Sequence, residues 1–292
     1  MALSLRALRR RVRTVKNTQK ITRAMETVST VKLKRAQDRL TAARPYARKL
    51  MEVVRALSDD EAARAHALTR RRPVHRRTLM VVTADRGLCG AFNSNVLRAT
   101  EAFVESHADA ALDFVAVGKR ARDHFNRHGK PIVHQVVPLG GVATVETSRS
   151  LAQELTRRFV EGLTDEIWLL ATHMASLIRF VPTLGRLLPL DLDRRKGEQE
   201  RSVDFLLNYL FEPSAETLLD FLFPRTVESR IHLALAESVA SEHSARRMAM
   251  HNATDNCKDL GTTLTLQINK ARQAAITKEL LEIVGGTEAL KG

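Results

Sequence analysis

From Leu5 to Leu57, apolar residues fall at Leu5, Leu8, Val12 and Val15. They fall again at Leu33, Ala36, Leu40, Ala43, Ala47, Leu50, Val54 and Leu57. This is the alternating three-and-four spacing of a coiled-coil seam. The stretch holds no Gly and one Pro, Pro45, so the pattern predicts one long helix. Both runs share a heptad phase, but between them that phase is held by Gln19, Thr22, Glu26 and Ser29. There the apolar stripe moves to Ile21, Ala24, Met25, Val28 and Val31, as if the helix turned its face to meet a second partner surface. A helix of this length exceeds the diameter of a small domain and is expected to protrude.

The other end repeats the pattern. A second long helix is expected from about Arg225, after Pro224, to about Val284, where Gly285-Gly286 reads as a stop. Val227, Ile231, Leu235 and Val239 form its first stripe, and Leu260, Leu264, Ile268, Ala271 and Ala275 a later one. Gly261 lies inside and costs roughly 1 kcal/mol relative to Ala, so packing must support the helix there. The other long helix is the natural support.

Between the helices the period changes. Strands are expected at Leu79 to Thr83, Phe114 to Val117, Ile132 to Val137 and Ile167 to Ala171. Helical runs separate them: from the GLCGAFN segment to about His107, from Arg120 to His128, and from Val145 to Gly162. Alternation of this kind predicts a parallel-rich, three-layer α/β domain. After Ile178 to Val181 the chain passes Pro182 and Pro189 into a polar stretch, Asp191 to Arg201, read as an exposed loop. Phe205 to Phe211 and Leu218 to Phe223 lead back to the second long helix.

Charge sharpens the division. Residues 1–77 hold 22 Lys+Arg against 6 Asp+Glu, whereas the remainder holds 25 against 27, so the whole net charge of +14 lies at the N-terminal end. A basic helix serves nucleic acid, an anionic membrane surface or acidic protein surfaces. No stretch approaches the ~18 apolar residues of a membrane span, so membrane association is expected to be peripheral. Arg6, Arg9, Arg10, Arg11 and Arg13 imitate a transit peptide, but the heptad begins inside them, which marks the segment as mature structure. The two cysteines, Cys89 and Cys257, form no disulfide framework and suit a reducing compartment.

No catalytic constellation is legible. The phosphate cradle GxxxxGK[ST] is missing, and Gly87 to Gly90 lacks the third glycine of a dinucleotide fingerprint, so those glycines read as a tight turn or close backbone approach. His124 and His128 have metal-ligand spacing but no third ligand. Asp85 and Arg86 read as a loop ion pair, and Cys89, with no base assigned to it, as a small buried residue. Neither cofactor nor metal is expected.

Four segments point to a family: NTQKITRAMETV (Asn17 to Val28), TADRGLCGAFN in the middle, ATDNCKDL (Ala253 to Leu260) and NKARQAAITKELLEIVGG (Asn269 to Gly286). Together, in this order and over essentially the whole chain, they closely resemble the gamma subunit of F-type ATP synthases. The resemblance implies an α/β fold class with a long antiparallel coiled coil of N- and C-terminal helices and a central Rossmann-like α/β domain. The expected divisions are a coiled-coil helix at 1–58, a basic connector at 59–77, the central domain at 78–212 and a C-terminal helical segment at 213–292.

The function so implied is that of a non-catalytic rotor shaft, coupling proton flow through the membrane sector to ATP synthesis by turning inside a ring of alpha and beta subunits. The implied partners are those subunits, the epsilon subunit and the c-ring, with one copy of this chain per complex and no nucleic acid. The implied setting is peripheral, on the cytoplasmic side of a bacterial cell membrane. By position in the matched motifs, Lys20, Arg23 and Met25 correspond to contacts with an acidic beta-subunit loop. Arg246, Gln273, Thr277, Glu279 and Glu282 correspond to C-terminal contacts with the ring, and Tyr209, Leu210, Phe211 and Glu212, in YLFEP, to the foot on the c-ring. The chain departs from the family pattern at Ala91, at Ser29-Thr30 and at Cys257, and it lacks the cysteine-bearing insert of the chloroplast form. The competing reading is a basic coiled-coil protein that binds nucleic acid, against which stand the low aromatic content of 4% and the lack of a recognition motif.

Overall fold

The computed structural model describes residues 5–57, 61–176, 178–192 and 214–289. The element order is α1 (Leu5–Ala56), α2 (Glu61–Ala65), β1 (Arg76–Val82), α3 (Phe92–Ser106), β2 (Ala111–Val117), α4 (Lys119–Arg127), β3 (Ile132–Val136), α5 (Val145–Val160), β4 (Glu166–Met174), β5 (Phe180–Leu188) and α6 (Ala215–Ala289). By internal contacts the chain forms two units, divided between Ser29 and Thr30 on α1 and between Arg246 and Arg247 on α6.

In the central unit, residues 30–246, the strands lie in the order β3-β2-β1-β4-β5. The first four are parallel and β5 is antiparallel to β4. The period of two along β1 separates the layers. Leu79 and Val81 point to one face, where Val96 and Phe103 of α3 and Ala121 and Phe125 of α4 pack with Phe114 and Ala116. Met80 and Val82 point to the other, where Leu151, Leu155 and Phe159 of α5 meet Leu40 and Val54 of α1 and Val227, Ile231 and Leu235 of α6. The long helices thus form part of the third layer of the α/β sandwich.

In the helical unit, α1 up to Ser29 and α6 from Arg247 run antiparallel. Leu8 and Val15 pack with Leu264, supported by Val12, Cys257, Ile268 and Ala271. Further along, Thr22 Oγ1 lies 2.8 Å from Thr254 Oγ1, and Glu26 lies 3.0 Å from His251 Nδ1.

Several expectations need correction. The buried face of α1 does not turn: Leu8, Val15, Thr22, Ser29, Leu33, Ala36 and Leu40 keep one phase, while Ile21, Val28 and Val31 are exposed. The polar residues can stay inward because they are satisfied there: Thr22 also donates to the Gln19 carbonyl and Ser29 to that of Met25. On α6, Leu260 is 43% exposed, and Cys257 and the half-buried Gly261 take the seam instead.

The second long helix begins ten residues before Arg225, at Ala215, with Ser214 Oγ accepting the Thr217 N–H as an N-cap. It runs through Pro224, where an interior proline costs about 3 kcal/mol, because Leu219, Phe223 and Val227 on either side are fully buried. It also continues through Gly285 and Gly286 in right-handed conformation rather than ending on them. β5 runs through Pro182, which the sheet tolerates because β5 is an edge strand. The basic connector contributes α2 and the first residues of β1. Most of the polar stretch 191–201, from 193 on, and the segment Phe205 to Phe211 lie outside the described residues.

Candidate functional site

In an open parallel sheet, ligands favour the crevice at the carboxyl ends of the strands where the chain reverses its winding, here beside β1, between β2 and β4. The turn after β1 occupies that place. Asp85, read as the partner of Arg86, instead accepts the main-chain N–H groups of Lys119 (3.0 Å), Leu139 (3.2 Å) and Gly140 (2.9 Å). Three amide donors, one at the start of α4, hold the carboxylate in place without an arginine. Gly118 is required beside it: its φ is +88°, and a Cβ there would meet the Thr83 carbonyl oxygen at 2.2 Å.

The same turn carries Leu88 with a φ of +61°, a left-handed conformation that L residues rarely hold, and a side chain 62% exposed. Cys89 is buried. Its sulfur accepts from Asn93 Nδ2 at 3.2 Å, and burial pushes its thiol above the usual range, which keeps it protonated and a poor nucleophile.

The crevice itself is filled by α6. Of the twelve residues 235–246, all but Glu237 are buried, and small residues, Ala240, Ser241, Ser244 and Ala245, allow the close approach. Three polar side chains face the loops. Arg246 donates through Nε and Nη2 to the Gly87 carbonyl, both at 3.3 Å, and through Nη1 to Glu242 at 2.7 Å. His243 Nε2 lies 3.3 Å from the Gly141 carbonyl, and its Nδ1 lies 3.5 Å from Arg246 Nη1. Only the neutral ring protonated on Nε2 satisfies both, donating to Gly141 and accepting from the guanidinium. Burial accordingly lowers the His243 pKa to about 4, with Arg246 adding to the effect. Burial pushes the Glu242 carboxyl up, and Arg246 pulls it back.

Lys20 and Arg23 are exposed on α1, and Met25 is half-buried. Gln273, Thr277, Glu279 and Glu282 are exposed on α6; Thr277 donates to the Gln273 carbonyl, and Glu282 pairs with Lys278 at 3.5 Å. Thr22 faces Thr254, so at 1.5 Å per residue the α6 group lies about 30–40 Å along the coil from the α1 group. The two form separate patches. Arg246 differs from all of them: it is 9% exposed, and it spends its guanidinium on Gly87, Glu242 and His243 of its own chain. Tyr209, Leu210, Phe211 and Glu212 lie outside the described residues.

Sequence reading missed Glu242 and His243. Their signal was the run of small residues around them on a helix buried on every side. His124 bonds to Glu101 at 2.7 Å and His128 to the His124 carbonyl at 2.8 Å. Among the described residues no group of three or more His, Cys, Asp and Glu could hold a metal ion, and no helix is long and apolar enough to cross a membrane.

A family model described as ATP synthase matches residues 4–290. The ATP synthase gamma chain of Desulfitobacterium hafniense is 42% identical over 290 residues, covering 99% of each chain. That of Moorella thermoacetica is 43% identical over 288 residues, covering 98% of this chain and 99% of its own. Among solved structures, a chain of the Euglena gracilis mitochondrial ATP synthase, from the assembly of OSCP, F1 and c-ring in rotational state 3, matches with a TM-score of 0.65 at 19% identity. It covers 98% of this chain and 94% of its own, a likeness of fold.

Proposed function

The chain belongs to the ATP synthase gamma-chain family, and from that premise we propose that it turns as one copy inside a ring of alpha and beta subunits, its foot on the epsilon subunit and the c-ring. It is a non-catalytic stalk subunit, the rotor of the enzyme. The observation that carries the fuller reading is the apolar end of α6. The seam with α1 fades near Ala275, and beyond it Ile276, Leu280, Leu281, Ile283 and Val284 are exposed. A run of large apolar side chains on one helix end fits a protein bearing that covers it.

A single asymmetric shaft presents a different face to each catalytic subunit around it. Contacts that differ between faces bias each subunit to a different nucleotide-binding state, which is how rotation becomes a cycle of affinities. Lys20 and Arg23, exposed and cationic, suit an acidic loop of the ring, and Gln273, Thr277, Glu279 and Glu282 a second set of contacts. The complex so built lies on the cytoplasmic side of the membrane.

The test mixes this chain with alpha and beta subunits from the same source, follows assembly by native mass spectrometry and measures ATP hydrolysis. One copy per complex with faster, sustained turnover is expected. No complex, with the chain retained instead on nucleic acid at physiological salt, would overturn the reading.

A further inference from the structure

In α/β folds the crevice beside β1 is where a ligand sits, and here its polar groups are consumed by the chain's own helix. Gly87 and Gly141, which line the two loops at the strand ends, offer their carbonyls to Arg246 and His243. Glu242, 6% exposed, neutralises the guanidinium that makes the Gly87 contact. The grip is double: one residue of α6 holds the β1–α3 turn and another holds the loop between β3 and α5. Asp85, in the first of these loops, binds the second through Leu139 and Gly140 and the start of α4 through Lys119. Ala245 adds an apolar contact with Ala84, Cys89 and Phe92.

The location matters as much as the chemistry. Arg246 is the last residue of α6 that belongs to the central unit. A helix turned about its axis transmits torque only if something grips its sides; otherwise it twists within its packing. To the apolar packing, a planar guanidinium fixed between a carbonyl and a carboxylate adds a directional hold. Three buried polar groups on consecutive turns of one helix, all satisfied by loops of the sheet or by one another, form such a grip.

We propose that Glu242, His243 and Arg246 are positioning residues that lock α6 to the strand-end loops, so that this stretch of α6 does not turn against the sheet under load. This inference rests on the rotor reading. It assigns to Arg246 a grip within the chain in place of a contact with the ring. The crevice of the sheet has become a socket for the helix.

The test uses the complete ATP synthase in inverted membrane vesicles, with Arg246→Ala, the charge-free pair Glu242→Gln with Arg246→Gln, and Arg246→Lys. The double variant guards against misfolding, because it removes both buried charges together and leaves none unpaired. The surface pair Lys34→Gln with Asp38→Asn serves as the control. ATP hydrolysis, ATP-driven proton pumping and hydrogen exchange at residues 87–89 are measured.

Assembled double variant with hydrolysis within about twofold of wild type, pumping per ATP reduced several-fold and faster exchange at 87–89 is the expected result. Arg246→Lys, which keeps the charge but loses the fork, should fall between. Unchanged pumping per ATP in an assembled double variant overturns the inference. So does an equal fall in hydrolysis and pumping, which means a role in folding alone. Failure of wild type itself to join the ring would instead sink the rotor reading, so the two failures are distinguishable.

Discussion

His243 shows how a single residue can be read from its neighbours. Its ring sits between a carbonyl that needs a donor and a guanidinium that needs an acceptor, and an imidazolium cannot serve the second. The folded pKa is about 4 against an ordinary 6.5, so the folded state prefers the neutral form. Stability from this group is complete above about pH 6.5 and is lost as pH falls towards 4, up to about 3 kcal/mol at 1.36 kcal/mol per unit. Glu242 runs the other way, because its raised pKa relieves strain on protonation. Urea unfolding at several pH values should therefore show the wild type losing more stability than His243→Gln between pH 6.5 and 4. Parallel pH curves would remove the neutral-histidine assignment. Glu242 and His243 carry no motif, and the only trace of them in the sequence is the run of small residues around them.

At the scale of elements the long helices were legible and their ends were not. Heptad spacing identifies a seam wherever apolar residues hold it, as from Leu33 to Leu57. It misleads from Gln19 to Ser29, where hydroxyls meeting across the seam or bonding to the helix backbone replace apolar contact. Pro224 and Gly285 failed as punctuation because each is a local cost of one to a few kcal/mol, which burial of neighbouring large side chains offsets at Pro224. β5 was missed past Val181 for a similar reason: only the strand order reveals that Pro182 sits at an edge.

Gly261 follows from the same arithmetic. It lies in α6, and a Cβ added there would have no neighbouring atom within 4 Å, so Ala fits without displacement. Gly261→Ala should stabilise the chain by up to about 1 kcal/mol, measured as a rise in the urea midpoint at constant slope. A fall would mean that the seam closes more tightly at Gly261 than the open space around it allows.

As a whole molecule the chain is a rotor. Family membership was legible from four short motifs, because those motifs cover both long helices and the β1 turn, and the helix pair was legible from its heptad spacing. The grip of the sheet on α6 was not, since it depends on loops 100 to 160 residues distant in sequence from the helix they hold. Charge reversal tests the exposed α1 patch: Lys20→Glu with Arg23→Glu should lower ATP-driven proton pumping several-fold while circular dichroism of the isolated chain stays unchanged. Unaltered pumping would remove those two cations from the coupling surface.

The most direct measurement fixes the ring of alpha and beta subunits to a surface, attaches a visible probe to this chain, and watches the probe while ATP is hydrolysed. Stepwise rotation in one direction, at a rate that follows ATP concentration, is the predicted result. A probe that stays fixed or moves without direction while hydrolysis continues would contradict the account.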